Sequence, residues 1–175
     1  MIKIHAGKYK GNFINRVKIK TTKETASMVR EAVFNSLYNI HGTILDLFAG
    51  SGSYGITALS LGASNAYFVE NNNRAYNVVK ENLKKLDLKA NVFKCDYKTF
   101  LNRNKTKFDF IFLDPPYNFN NYEQLLLDVK NHLNNQSYII LEVDKRTKIN
   151  FDKYNNEVIK DKNYGSKRII IFFFK

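Results

Sequence analysis

Residues 45–55 read Leu45-Asp46-Leu47-Phe48-Ala49-Gly50-Ser51-Gly52-Ser53-Tyr54-Gly55, an apolar run that passes through closely spaced glycines into a helical stretch. That order of strand, glycine loop and helix is the ligand-binding turn of an open α/β sheet. Missing side chains let backbone N–H groups and the amino end of a helix approach a bound molecule. The rest of the chain supports the same architecture. Apolar strand-like runs at 43–48, 66–70, 91–95, 108–113 and 138–143 alternate with helical patterns at 54–61, 73–86 and 122–133. In the middle helix Ala75, Val78, Val79, Leu83 and Leu86 share one side, while Lys80, Lys84 and Lys85 fall on others. Alternating strands and helices require right-handed crossovers and a mostly parallel sheet.

Both ends of the chain depart from this alternation. At the carboxyl end, residues 157–162 and 167–174 flank a turn at Gly165 with no helix between them, so they must pair as a hairpin and one strand must run against the others. The run Ile169-Ile170-Ile171-Phe172-Phe173-Phe174 does not alternate, as expected of a strand covered on both faces. At the amino end, residues 2–7 and 13–19 read as short strands joined by turns at Gly7 and Gly11, and Val29, Val33 and Leu37 place a helix over 27–38. The expected fold is a Rossmann-like α/β domain over residues 25–175. It has a seven-stranded, mostly parallel sheet with one antiparallel strand, preceded by a small basic β-hairpin over residues 1–24.

The chain has 175 residues, enough to bury a core, with 28 Lys and Arg against 16 Asp and Glu and a net charge of +12. Seven basic residues and no acidic one occur up to Lys23: Lys3, Lys8, Lys10, Arg16, Lys18, Lys20 and Lys23. Interleaved with Tyr9 and Phe13, this segment suits a polyanion, because each cation that neutralises a phosphate releases condensed counterions. No apolar run approaches the roughly 20 residues that span a bilayer, so no membrane association is expected. The single cysteine, Cys95, excludes an internal disulfide and fits a reducing cytoplasm. His5, His41 and His132 are scattered without metal-ligand spacing and are expected at the surface, and no metal is expected.

Three acids define a cofactor. Asp46, inside the end of the first main strand, would repel a pyrophosphate but could hold a cationic amino group. Glu70 closes the second strand, where a carboxylate can accept both hydrogen bonds of a ribose diol. Asp96 closes the third, where it could accept from an adenine amino group. S-adenosylmethionine needs this set.

The fourth strand delivers Asp114-Pro115-Pro116-Tyr117, which contains both prolines of the chain. Consecutive prolines remove two backbone donors, stiffen the path and leave the carbonyls of Asp114 and Pro115 free to accept. An exocyclic amine on a nucleobase is a poor nucleophile because its lone pair is delocalised into the ring. A carboxylate and a carbonyl accepting its two hydrogens could pyramidalise the nitrogen and aim the lone pair at a sulfonium methyl. Tyr117 would stack on the base, which must be single-stranded or flipped out. Carbon-5 methylation of a pyrimidine needs a cysteine nucleophile, and Cys95 lies on another strand, away from this loop.

Residues 45–52, Phe68-Val69-Glu70 and Asp114-Pro115-Pro116-Tyr117 resemble motifs of class I S-adenosylmethionine-dependent amino methyltransferases. The start Ile4-His5-Ala6-Gly7-Lys8-Tyr9-Lys10-Gly11, the helix Val29-Arg30-Glu31-Ala32-Val33-Phe34-Asn35 and Tyr164-Gly165 before the last strand resemble the RsmD family more specifically, and the likeness spans essentially the whole chain. The resemblance implies methylation of the N2 amine of one guanine, at position 966 of 16S rRNA, in an assembled or nearly assembled small ribosomal subunit, with S-adenosylhomocysteine as product. It assigns Asp46, Gly50, Gly52, Glu70 and Asp96 to the cofactor, and Asp114, Pro115 and Tyr117 to the target guanine. Phe48, Ser51, Asn71 and Tyr97 extend the expected cofactor set, while Lys8, Lys10 and Pro116 are expected at the RNA substrate. The family usually carries Arg-Pro-Thr followed by Asp-Arg ahead of the helix, where this chain reads Lys23-Glu24-Thr25-Ala26-Ser27-Met28. Two other readings share the same motifs: a DNA adenine-N6 methyltransferase, and a non-catalytic RNA-binding assembly factor.

Overall fold

The computed structural model describes residues 1–17, 25–150 and 157–175. A hairpin of β1 (Ile2–Lys3) and β2 (Phe13–Ile14) leads to α1 (Thr25–Phe34). The main body follows as β3 (Thr43–Asp46), α2 (Ser53–Leu61), β4 (Asn65–Val69), α3 (Asn73–Lys85), β5 (Asn91–Phe93), α4 (Tyr97–Arg103), β6 (Phe108–Leu113), α5 (Tyr122–Lys130), β7 (Leu133–Asp144), β8 (Glu157–Tyr164) and β9 (Lys167–Phe174). The seven-stranded sheet has the order β5-β4-β3-β6-β7-β9-β8. Every pairing from β5 to β7 is parallel, and β9 runs antiparallel to both of its neighbours. One opposed strand is therefore present, as the missing crossover helix before Lys167 requires.

The two-residue period of the strands divides the core into two layers. Ile44, Phe68, Phe110, Phe112, Ile140, Ile169 and Ile171 pack with Val29 and Val33 of α1, Ile56 of α2, and Val79 and Leu83 of α3. Leu45, Val69, Ile111, Leu113, Ile139, Leu141, Ile170 and Phe172 pack with Phe100 of α4 and with Leu125 and Val129 of α5. Strand β9 contributes to both layers, which explains its unbroken apolar run. Each fully buried Phe, Ile or Leu contributes about 1.5–3 kcal/mol from area removed from water.

Several expected boundaries move. The amino-terminal strands have only two residues each, paired Ile2 to Ile14 and Lys3 to Phe13. The far part of the expected 13–19 strand lies outside the described residues, as do Lys18, Lys20 and, from the departed motif segment, Lys23 and Glu24. The hairpin is anchored on the body: Ile4 and Ile14 are buried in the first core layer, and Lys8 N donates to the carbonyl of Ser60 at 2.8 Å. Helix α4 had no counterpart in the periodicity because seven residues make too few turns to show a repeat. Helix α5 stops at Lys130, and β7 begins at Leu133, which pairs with Phe108 across a register shift. His132, expected at the surface, is buried, with Nδ1 3.4 Å from the carbonyl of Thr106, and burial lowers its pKa.

Candidate active site

Four carboxylates line the carboxyl edge of the parallel strands in the spatial order Asp96, Glu70, Asp46, Asp114, set by β5-β4-β3-β6. Asp46 ends β3, and its side chain is only 2% exposed. One oxygen, Oδ2, accepts from Gly55 N at 3.0 Å in the first turn of α2. The other has no hydrogen-bond partner among the described residues. Burial, followed by the charges of Asp114 and Glu70 and opposed by the Gly55 bond, pushes Asp46 up to about 8. A buried carboxyl with a vacant oxygen suits a ligand that brings a positive charge.

The glycine loop closes over Asp46. Gly50 has φ +55°, in the region that favours glycine, and a Cβ built there meets nothing nearer than the Phe48 carbonyl at 4.0 Å, so its inner side faces open space. Glu70 holds this loop: Oε2 accepts from Gly50 N at 2.9 Å and Oε1 accepts from Asn72 N at 2.7 Å. Ser51 is tied through its carbonyl to Asn82 Nδ2 at 2.8 Å. Asn71 is exposed beside Glu70. Asp96 caps α4, accepting from Thr99 N at 3.0 Å and from Thr99 Oγ1 at 2.5 Å, and these bonds lower its pKa. Phe48, Tyr97 and Phe119 form an aromatic cluster with ring centroids 5.5–5.9 Å apart, so the first two expected cofactor contacts do meet, joined by a third ring from the loop after β6.

Asp114 follows β6 with its side chain 40% exposed. Desolvation of this half-buried carboxyl, then the charge of Glu142, with Lys167 opposing both, pushes it up to about 7. Pro115 is buried, Pro116 is exposed, and the Pro115 carbonyl accepts no hydrogen bond among the described residues. Tyr117 is 62% exposed, an aromatic ring presented to solvent beside an acceptor pair.

The family described as Conserved hypothetical protein 95 matches residues 2–173. Ribosomal RNA small subunit methyltransferase D of Haemophilus influenzae is 35% identical over 153 residues, covering 82% of this chain and 79% of that one. The chain belongs to the RsmD family. A Bacillus subtilis relative with the provisional name rRNA methyltransferase YlbH is 33% identical over 98% of both chains. A solved Haemophilus influenzae structure provisionally described as a methylase superposes with a TM-score of 0.82 at 28% identity, covering 99% of each chain.

In this RsmD-family chain the rim also holds residues that sequence reading passed over. Glu142 of β7 and Lys167 of β9 arrive on the same face of the sheet as Asp46 and Asp114, each two positions from a first-layer residue: Ile140, Ile169, Ile44 and Phe112. Lys167 Nζ lies 2.9 Å from Glu142 Oε1 and 3.7 Å from Asp114 Oδ1. Tyr54 of α2 donates its hydroxyl to Glu142 Oε2 at 2.8 Å. The available signal was a lone acid within the apolar run Ile139-Ile140-Leu141-Glu142-Val143. Lys8 and Lys10 are not brought to this rim. Their turn docks on Ser60 in the last turn of α2, the end opposite the glycine loop. Among the described residues no group of three or more His, Cys, Asp and Glu is placed to hold a metal, and no helix is long and apolar enough to cross a membrane.

Proposed function

We propose that this chain transfers a methyl group from S-adenosylmethionine to the N2 amine of a guanine in small-subunit rRNA, guanine 966, within an assembled or nearly assembled subunit in the cytoplasm. One observation carries the reading: a half-open carboxylate, Asp114, stands next to a buried carboxylate with a vacant oxygen, Asp46, on one sheet face beside an exposed aromatic ring.

The vacant Asp46 oxygen takes the donor's amino group, and the open side of Gly50 admits its backbone, with Ser51 alongside and Gly52 turning the loop into α2 with its Cβ side against Ile56, Phe68 and Val79. Glu70, whose oxygens each keep a second lone pair, takes the ribose hydroxyls, with Asn71 beside it. Asp96 accepts from the adenine amine, and Phe48 and Tyr97 pack on the adenine. When bound, S-adenosylmethionine supplies an electrophilic methyl on sulfur and leaves as S-adenosylhomocysteine.

The chain's own contribution at the acceptor is positioning. The Asp114 carboxylate and the Pro115 carbonyl each accept one hydrogen of the guanine amine, which localises its lone pair for attack. As the new C–N bond forms, the nitrogen gains positive charge and passes a proton to Asp114, which releases it to water. A carboxyl poised near neutrality suits a transient proton acceptor. Tyr117 stacks on the base, Pro116 borders it, and Lys8 and Lys10 meet the RNA backbone a helix length away.

The test is methyl transfer from labelled donor to undermethylated small subunits, naked rRNA and duplex DNA, with mapping of the modified nucleotide. Transfer to the subunit or its rRNA, lost in Asp114→Asn while the donor still binds, is the expected result. Preferential labelling of DNA adenine, or undiminished activity in the variant, overturns it.

A further inference from the structure

The carboxyl edge of the sheet concentrates negative charge. Asp46, Asp114 and Glu142 share one face, with Glu70 on the adjoining strand end. Such a cluster works against an ionised Asp114, because like charges at short range favour the protonated acid. A protonated Asp114 donates a hydrogen where the proposed reaction needs an acceptor.

The side chain of Lys167 is 15% exposed and placed to oppose this. Strand β9 runs antiparallel to the rest, so its first residue arrives at the edge where the parallel strands end. Glu142 fixes the ammonium at 2.9 Å, from where it lies 3.7 Å from Asp114 and 4.6 Å from the ring centroid of Tyr117. Glu142 is itself held by Tyr54, which is stacked on Phe112 with centroids 5.3 Å apart. The lysine is thus a bridge between two carboxylates and a backing for one face of an aromatic ring whose other side is open.

We propose that Lys167 is a positioning residue for methyl transfer: its ammonium keeps Asp114 in the ionised, hydrogen-accepting form and backs the inner face of Tyr117, leaving the outer face to the target base. This rests on the proposed function above, since it gives Asp114 and Tyr117 their roles. The charged and titratable groups around the pair come from every neighbouring element: Asp46 of β3, Glu142 of β7, Tyr54 of α2, Arg30 of α1 acting through Tyr54 and Glu142, Tyr122 of α5, and Tyr117. Burial alone would lower the lysine's pKa, but the carboxylates of Asp114 and Glu142 outweigh it and hold Lys167 above the ordinary lysine range, so it is charged at neutral pH. Mutual support follows. The cation favours the Asp114 anion, and the anions favour the cation.

The experiment reads the Asp114 carboxyl directly by carbon-13 NMR titration, assigned by its loss in Asp114→Asn, in the wild type and in Lys167→Met, Lys167→Arg and Glu142→Gln, alongside pH profiles of methyl transfer. Circular dichroism checks that each variant folds. Lys167→Met should move the carboxyl titration and the acid limb of kcat to higher pH by about one unit, so kcat falls about fivefold at about pH 7 and about tenfold toward about pH 6. The donor Kd should hold, and Lys167→Arg should recover most of the shift. Glu142→Gln should move the titration the other way, because it removes a like charge while the amide oxygen of the glutamine can still accept from the Lys167 ammonium. A merely structural lysine would not produce opposite displacements in the two variants. An Asp114 titration unchanged in folded Lys167→Met, or one displaced in the same direction by both substitutions, overturns the proposal. If the wild type transferred no methyl group to any RNA, the functional reading would fall, while the NMR titration would still decide the Lys167–Asp114 coupling.

Discussion

Asn82 and Asn15 hold each other reciprocally. Asn15 N donates to Asn82 Oδ1 at 2.6 Å, and Asn82 Nδ2 donates back to the Asn15 carbonyl at 3.0 Å. The remaining amide hydrogen of Asn82 goes to the Ser51 carbonyl at 2.8 Å. A fully buried side chain on α3 therefore joins the amino-terminal hairpin to the glycine loop. Replacing it leaves the Asn15 amide and the carbonyls of Asn15 and Ser51, all on half-buried residues, short of partners, at a cost of up to about 1–3 kcal/mol for each group that water does not reach. Asn82→Ala should lower the denaturant midpoint and weaken donor binding, as measured by urea unfolding and calorimetry. An unchanged midpoint would mean the link contributes nothing.

Asp46 sets function against stability. Its carboxyl titrates near 8 in the fold against 3.8 for an ordinary Asp, so between these values the folded chain holds a proton that the unfolded chain has released. Stability must therefore fall as pH rises across that window, with the full penalty present above about 8. Asp114, raised to about 7, acts in the same direction. In Asp46→Asn the amide oxygen can still accept from Gly55 N, while the titration is gone. The variant should lose less melting temperature than the wild type between pH 5 and pH 8.5, and its donor affinity should drop at least about tenfold through loss of one charged contact. A wild-type pH slope of stability in this variant would show that Asp46 is not the buried acid responsible.

The sheet was legible because strand and helix periods differ and because the run from Ile169 to Phe174 has no polar break. Asp46, Glu70 and Asp114 were legible for a related reason: each ends an apolar run, and parallel strands bring such ends to one edge, whereas Asp96, expected to close the third strand, lies three residues past the end of β5 because it caps α4. Their hydrogen bonds were not. That Glu70 clamps Gly50, or that Asp96 caps α4, depends on loop geometry that no period encodes. Lys167 escaped because its position at the rim follows from an antiparallel strand, and a lysine two residues before an apolar run reads as an ordinary strand-flanking charge. Asn82 escaped for the opposite reason: on a helix rich in Asn and Lys, one buried amide looks like its solvated neighbours. The placement of Lys8 and Lys10 at the far end of α2 follows from contacts to Ser60, a residue with no distinguishing pattern of its own.

Tyr117 has one face toward the Lys167 ammonium and is 62% exposed, so substitution there should leave the fold intact. If the free face carries the target base, removing the ring removes stacking worth about 1–3 kcal/mol, or roughly tenfold to a hundredfold in kcat/KM for RNA. Tyr117→Ala should show that loss with unaltered donor binding and melting temperature. Tyr117→Phe should retain most activity, because stacking and the cation contact both use the ring and not the hydroxyl. Steady-state kinetics on undermethylated small subunits make the comparison. If the alanine variant matched the wild type, the base would have to stack elsewhere. If the phenylalanine variant were as impaired as alanine, the hydroxyl and not the ring face would be the group that meets the RNA.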